Sequence, residues 1–436
     1  MKNLKEEAEQ IFFATLNALD LKLLVNKNLK LEDNTLHLKD EEIKLKDYRD
    51  LFLIGFGKAS LTIAAAVEGL LGERITRSLL VSDAPHELKL KSEIIIAGHP
   101  LPDQNSLLAG KRILELVQAA PPDSLIIFIV TGGGSALVEQ PISHDVTLED
   151  LRELNRLLVN SGATIREINV VRKHLSQIKG GRLGYLARNN SSIRLFLSDV
   201  NPGDLRSIAS NPLLPDEVEL DDFFDILERY KLADRLPRSI LEIIRKGEIG
   251  ELPREWAYEK KSINLLLADN HDAIRLAAEI ARRKGFHVET DLRFSEGDYK
   301  AVSMELIKTL LALKERFPDE PVCLVSGGEV SCPVKGDGVG GRNQEFVLYT
   351  AIELSRIDDF EACALSCGTD GVDGNSPATG AVADAETIRL ALRLGLDPVV
   401  FLERNDSHSF FELVGGAVYT GPTGNNVRDL RLLIAS

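Results

Sequence analysis

Methionine, tryptophan and cysteine are scarce in this 436-residue chain, at two, one and four residues. The cysteines, Cys323, Cys332, Cys363 and Cys367, all fall in its last third, and the eight histidines are scattered. No Cys/His set with zinc-ligand spacing results. Buried, reduced thiols are the expected state, and a reducing cytoplasm the expected setting. Positive charge is in deficit: 52 Lys and Arg against 67 Asp and Glu give a net charge of −15. That excludes a general nucleic-acid binder, whose partner demands basic surface, but leaves room for a local basic pocket holding a small anion. Long apolar runs are missing too. The longest, Leu125–Val130, is far shorter than the roughly 20 residues that span a bilayer. The opening Met1-Lys2-Asn3-Leu4-Lys5-Glu6-Glu7 has no signal-peptide apolar core. Neither membrane nor nucleic acid is expected as a partner.

The hydrophobic fraction of 44% and charged fraction of 27% are ordinary for a soluble globular protein. The length implies two domains. Residues 4–20 carry Leu4, Ala8, Ile11, Phe12 and Leu16 on one stripe, the pattern of an amphipathic helix. Units of strand, turn and helix follow. Leu51–Ile54 runs into Gly55-Phe56-Gly57-Lys58-Ala59-Ser60, Leu125–Val130 into Thr131-Gly132-Gly133-Gly134-Ser135-Ala136-Leu137, and Ile193–Leu197 into Ser198–Asp204. Residues 78–81 and 94–97 read as further strands. Continuous apolar strands alternating with helices predict a parallel sheet covered on both faces. The stretch 216–258 is charge-rich and interrupted by Pro237 and Pro253; it reads as the crossing between domains, at 1–250 and 251–436. A second α/β series then begins at Ile263–Leu267.

In an open parallel sheet, ligands gather beyond the carboxyl ends of the strands, where the glycine-rich segments fall. The richest is Ser326-Gly327-Gly328-Glu329 with Gly336–Glu345, behind the strand Pro321–Val325. Bare backbone there would let N–H groups cradle phosphate. Thr131–Leu137 offers a helix start to a carboxylate or phosphate; a tight turn is the competing reading. Gly55–Ser60 resembles a dinucleotide fingerprint with Ser60 in place of its third glycine, and its Lys58 is either a phosphate contact or solvated. Arg172, Lys173, His174, Lys179 and Arg182 cluster within eleven positions, as an anion pocket or a solvated helix face. Asp199 suits a general base, a magnesium ligand or a helix cap. In Gly368–Asn375, Asp370 stands nearest the strand end, while Asp373 could stabilise the turn; the spacing is not that of an EF-hand. Anion cradles, cations and carboxylates together are what phosphoryl transfer requires.

These residues resemble the class II glycerate kinases, whose C-terminal part is called the MOFRL domain. The resemblance rests on Gly55–Ser60, Gly98-His99-Pro100-Leu101-Pro102-Asp103, Thr131–Leu137, Asn169–Arg182, Ser198–Asp204, Ser326–Glu345, Gly368–Asp384 and Gly421–Asn426, in the family's order. It implies a two-domain α/β fold: an N-terminal Rossmann-like three-layer parallel sheet, a second α/β domain, and an active site in the inter-domain cleft. It implies phosphorylation of D-glycerate at the 2-hydroxyl by ATP with Mg2+ or another divalent cation, in a monomer or homodimer. By resemblance, Lys58, Asp199, Arg342 and Asp370 are catalytic, with Asp370 the metal ligand. Gly133, Gly134, Ser135 and Arg172 would bind substrate. Ser326, Gly327, Gly328, Glu329, Gly340, Gly341 and Asn343 would lie against the nucleotide. Asn425 departs from the family pattern, where Thr is common. Two other readings compete: a hydroxypyruvate reductase, needing a nicotinamide site at Gly55 with Asp83 as the ribose acid, and a non-catalytic nucleotide or metabolite sensor.

Overall fold

The computed structural model describes residues 3–436 except 202, 257, 294–295 and 358, so Met1, Lys2 and Pro202 of the segments above lie outside the described residues. Contacts divide the chain into two units: Leu24–Leu267, and Ala268–Ser436 together with the residues up to Leu23. Each is α/β. No described helix is long and apolar enough to cross a membrane.

The unit Leu24–Leu267 opens with a small antiparallel sheet of β1 (Leu29–Glu32), β2 (Thr35–Leu38) and β3 (Glu41–Lys44). Asp33 and Asn34 form its first turn at φ 46° and 62°. Two left-handed residues make a type I′ hairpin, which Asp and Asn tolerate. The main sheet contains β4 (Asp50–Phe56), β5 (Arg77–Ser82), β6 (Glu93–Ile96), β7 (Ser124–Val130), β8 (Ser191–Leu197) and β9 (Ser262–Ala268), in the order β6-β5-β4-β7-β8-β9. The β6-β5, β5-β4, β4-β7 and β7-β8 pairs are parallel. Every residue of β7 and β8 is buried, as strands covered on both faces require. Phe52, Ile54, Phe56 and Phe128 pack with Ile113 and Val117 of the helix Gln104–Gln118. The helix Ser60–Leu71 also packs against β4, β5 and β7.

Two expectations change here. Residues 216–258 are no crossing between domains: the helices Leu220–Arg229 and Arg238–Arg245 bury Phe223, Ile226, Ile240 and Ile243 with Leu154, Leu158 and Val171 in one core. Their charges lie on the outer sides of amphipathic helices. And Ser262–Ala268 does not start a second series; it is the edge strand of the first sheet. The break therefore falls at 267/268 rather than 250/251.

The other unit is built on β10 (His287–Asp291), β11 (Gly297–Asp298), β12 (Val322–Gly328), β13 (Val330–Ser331), β14 (Ala362–Gly368), β15 (Gly380–Asp384), β16 (Ala417–Val418) and β17 (Asp429–Ala435). Its six-stranded sheet has the order β10-β12-β17-β14-β15-β16, and only β10 and β12 are parallel. β17 lies between β12 and β14, antiparallel to both. One face carries the helices Tyr299–Arg316 and Arg342–Leu354. The other is covered by the helices Asn270–Arg283 and Leu4–Ala18, which bring Ala277, Ala281, Ala8, Ile11 and Phe12 onto Val325, Leu365 and Leu432. The first helix thus belongs to the second sheet, a long-range association that its own amphipathic pattern cannot disclose.

Phe12 is fully buried in that layer. Phe12→Ala is expected to destabilise this unit by about 3–5 kcal/mol, read as a shift in its urea unfolding midpoint. A loss under about 1 kcal/mol would be within the reach of a surface substitution and would mean the helix is dispensable to the sheet.

Candidate active site

In the unit Leu24–Leu267 the loops after β4, β7 and β8 converge at the carboxyl ends of neighbouring parallel strands. Gly57 stands at φ 120°, and a Cβ there would lie 2.1 Å from Thr131 Oγ1. Lys58 N donates to Gly132 O at 2.9 Å and Ala59 N to Thr131 Oγ1 at 3.2 Å, stitching the first two loops together. A Cβ on Gly132 would lie 1.8 Å from Asp199 Oδ2. One on Gly133 would lie 3.1 Å from Lys58 Cγ and 3.3 Å from His99 Cδ2. Asp199 thus lies against Gly132, where a Cβ has no room, and Lys58 and His99 against Gly133, whose φ of 81° disfavours one. The helix that starts at Gly134 is only four residues long, Gly134–Leu137, between the helix start and the tight turn expected there, and too short to carry much of a dipole.

Ser135 and Arg172 line a small cleft with Pro100, Ala136, Glu139 and Asn155. Arg172 Nη2 is paired with Asn155 Oδ1. Burial pulls the Arg172 guanidinium below its ordinary pKa, and the charge of Glu139 opposes this. The other basic residues of that segment serve the fold. Lys179 pairs with buried Glu139, Lys173 with Asp216 at 2.8 Å, and Arg182 donates to the carbonyls of Lys173 at 2.6 Å and Ser176 at 3.2 Å. His174 is fully buried, with Nδ1 2.9 Å from Val170 O. Neither a general anion pocket nor a solvated helix face describes them; Arg172 alone reaches the cleft. Behind Ser135, Ala209, Ser210 and Asn211 run consecutively at φ 49°, 60° and 55°. For side-chain-bearing residues this costs roughly 1–2 kcal/mol each.

His99 has no role in the expectations drawn from the sequence. It keeps an exposed edge, yet its imidazole is held below the ordinary value, first by partial burial among these loops and then by the charge of Lys58, against a smaller pull from Asp83. The Gly98-His99-Pro100 segment was its only signal. At the Gly55 loop, Ser60 Oγ donates to Val81 O at 2.9 Å, so the residue in place of the third fingerprint glycine is spent on the sheet.

In the other unit, Arg342 opens the helix Arg342–Leu354. Its Nε and Nη2 donate to Asp429 Oδ2 and Oδ1 at 2.8 and 2.9 Å, and Nη1 lies 2.9 Å from Glu329 Oε1. Burial pushes the Asp429 carboxyl up, but Arg342, Arg431 and Asn343 together outweigh it and hold the group below its usual range. Arg431, also fully buried, stands 3.6 Å from Asp429. Asp370 Oδ1 accepts from Val372 N at 3.1 Å. The point above Gly368 lies 3.0 Å from Asp370 Oδ1 and 3.7 Å from Asp429 Oδ1.

The backbone expected to cradle a nucleotide is already engaged. Ser326, Gly327 and Gly328 close β12 and are buried; a Cβ on Gly327 would lie 2.0 Å from Asn270 Oδ1, which accepts from Gly328 N at 2.9 Å. At the next helix N-terminus Asp373 accepts from Asn343 N and Gln344 N, each at 3.0 Å, and a Cβ on Gly341 would lie 2.3 Å from its Oδ1. The favourable seat for an anion holds the chain's own carboxylate. Gly340 N donates to Asn375 Oδ1 at 2.8 Å. Glu345, buried behind this loop, has its carboxyl pushed up to about 7, chiefly by burial. Asn425 Nδ2 donates to Leu19 O at 2.9 Å, a use for the amide where the family pattern has Thr.

A domain described as "Domain of unknown function (DUF4147)" matches residues 7–245, and the "MOFRL family" matches 322–429. The chain is 36% identical over 389 residues to D-glycerate 2-kinase of Thermotoga maritima, covering 87% of this chain and 89% of that one. It is 33% identical to the glycerate 2-kinase of Pyrococcus horikoshii, covering 94% and 92%. The crystal structure of glycerate kinase from Thermotoga maritima superposes with a TM-score of 0.85 at 32% identity, covering 99% of each chain. The chain belongs to the glycerate kinase family with a C-terminal MOFRL domain.

Lys58→Met is expected to raise the pKa of His99, because it removes a charge that disfavours the imidazolium. The imidazole Cε1–H resonance, followed by NMR across pH in both proteins, reads the shift. An unchanged midpoint would separate the two residues electrostatically and dissolve the cluster.

Proposed function

We propose that this chain transfers the γ-phosphoryl group of ATP to D-glycerate, forming 2-phosphoglycerate and ADP. The observation that carries the reading is the convergence on Gly132 and Gly133, beyond β7, of Lys58 and Asp199 from the loops after the neighbouring strands β4 and β8 and of His99 from the loop after β6. Membership of the glycerate kinase family supports it. The 2-hydroxyl oxygen attacks phosphorus, the bond to the ADP oxygen breaks, and the hydroxyl proton passes to Asp199. Lys58 neutralises charge on the transferring group. Arg172 in its cleft takes the glycerate carboxylate.

Arg342 and Asp370, in the other unit, are proposed to serve the nucleotide: Arg342 as a cation toward phosphate, Asp370 as a magnesium ligand. Among the described residues no group of three or more His, Cys, Asp and Glu could hold a metal ion. A kinase magnesium takes only one or two carboxylates and completes its shell with phosphates and water, and the partly exposed Asp370 would supply one; Asp429, buried and held by Arg342, would not. Bound Mg2+ would neutralise phosphate charge. Ser326–Gly328 and Gly341–Asn343 have no part in the proposal, since Asn270 and Asp373 use the room their backbone leaves.

A ³¹P NMR time course with D-glycerate, ATP and Mg2+ tests the reading. A 2-phosphoglycerate resonance is expected; 3-phosphoglycerate would move the reacting hydroxyl, and no phosphoglycerate from folded protein would sink the kinase assignment. Lys58→Ala and Asp199→Ala should each lower kcat by about 10²-fold or more with the fold intact. Gly132→Ala should do the same, because its Cβ must displace the Asp199 carboxylate. Near-normal turnover in any folded variant would remove that residue from the site.

A further inference from the structure

Ser210 is 2% exposed, and its hydroxyl bridges two residues. Ser210 Oγ donates to Asn169 Oδ1 at 3.1 Å and lies 2.9 Å from Ser135 Oγ. A hydroxyl has one proton. With that proton given to Asn169, the Ser135 contact forms only with Ser135 as donor. Ser135 has then spent its own proton, and turns lone pairs alone toward the cleft it lines with Arg172 and Asn155. Such an oxygen accepts a hydrogen bond from a hydroxyl and repels a carboxylate oxygen.

The backbone is bent to hold this arrangement. Ser210 sits inside the left-handed run Ala209–Asn211, and the loop of Gly180 and Gly181 clamps it, with Gly180 N donating to Ser210 O at 3.1 Å and Gly181 N to Asn211 O at 2.6 Å. Local strain persists where the surroundings over-determine it, and such places cluster at functional sites.

We infer that Ser210 and Asn169 are positioning residues that fix Ser135 as acceptor for the substrate hydroxyl that is not phosphorylated. The inference rests on the kinase reading above. It divides the acceptor's recognition in two: Arg172 takes the carboxylate and Ser135 the spare hydroxyl. The preferred substrate class is a small hydroxy acid with a second, neighbouring hydroxyl.

D-lactate keeps the carboxylate and the 2-hydroxyl of D-glycerate and lacks the 3-hydroxyl, so it reports on the first contact alone. Steady-state kinetics with D-glycerate, and with D-lactate as competitor, separate the two in Ser210→Ala and in Ser210→Gly, which accepts the left-handed backbone without strain. In both variants the KM for D-glycerate should rise roughly five- to tenfold, the worth of one hydrogen bond, while the inhibition constant of D-lactate stays at its wild-type value. Equal weakening of both ligands would mean that Ser135 serves the carboxylate, and overturns the inference. So does a D-glycerate KM that does not move. Failure of the wild-type protein to phosphorylate D-glycerate is a different result, and removes the kinase reading itself.

Discussion

Two positions without a side chain, Gly132 and Gly133, govern the unit Leu24–Leu267. At Gly132 the backbone of the β7 loop lies against the Asp199 carboxylate, and at Gly133 against the stem of Lys58 and the ring of His99. Any Cβ at Gly132 would displace the Asp199 carboxylate. Much nearby sequence maintains that approach: Gly57 lets the β4 loop close on Thr131, and the fully buried parallel strands set the three loops side by side.

The other unit answers to buried charge. Asp429 and Arg431 are fully buried, two residues apart on one face of β17, and Arg342 reaches the same carboxylate from the start of its helix. Removing one partner from such a cluster costs about 3–5 kcal/mol because it leaves the others uncompensated. Asp373 closes the N-terminus of that same helix from within. These groups hold one another, so a ligand approaching Arg342 meets a cation whose charge is already shared by Glu329 and Asp429.

Where a strand is an unbroken apolar run ending in glycine, as at Leu51–Ile54 and Leu125–Val130, local chemistry fixes both the strand and the loop beyond it, and these features were legible. The clusters at Gly55–Ser60 and Thr131–Leu137 likewise mark where Lys58 and the cleft stand. Three kinds of feature were not. The amphipathic helix Leu4–Ala18 is visible, but the strands β14, β15 and β17 that it packs on lie more than 300 residues away in sequence, and no local pattern names them. In 216–258, surface charge masked the apolar sides of two helices. And glycine density alone does not say what the bare backbone is for. At Gly327 and Gly341 it admits Asn270 and Asp373, whereas at Gly132 it admits the Asp199 carboxylate among the loops at the strand ends. Asp429 and Arg431 could have been suspected from their alternation in an apolar strand; which face they shared was a matter of topology.

The insertion of β17 between β12 and β14 carries a consequence for how the molecule comes into being. Both neighbours are made before it, and neither can take its final partner until residues 429–435 exist. The helix Leu4–Ala18, made before all three strands, needs that same finished surface to cover Ala8, Ile11 and Phe12. At a ribosomal pace of about 5–20 residues per second, it waits on the order of tens of seconds with its apolar stripe uncovered. The intervening unit has every strand of its own sheet by then. The order of birth along the chain is thus inverted for its earliest helix, which leaves the nascent protein a window in which a chaperone could hold that stripe.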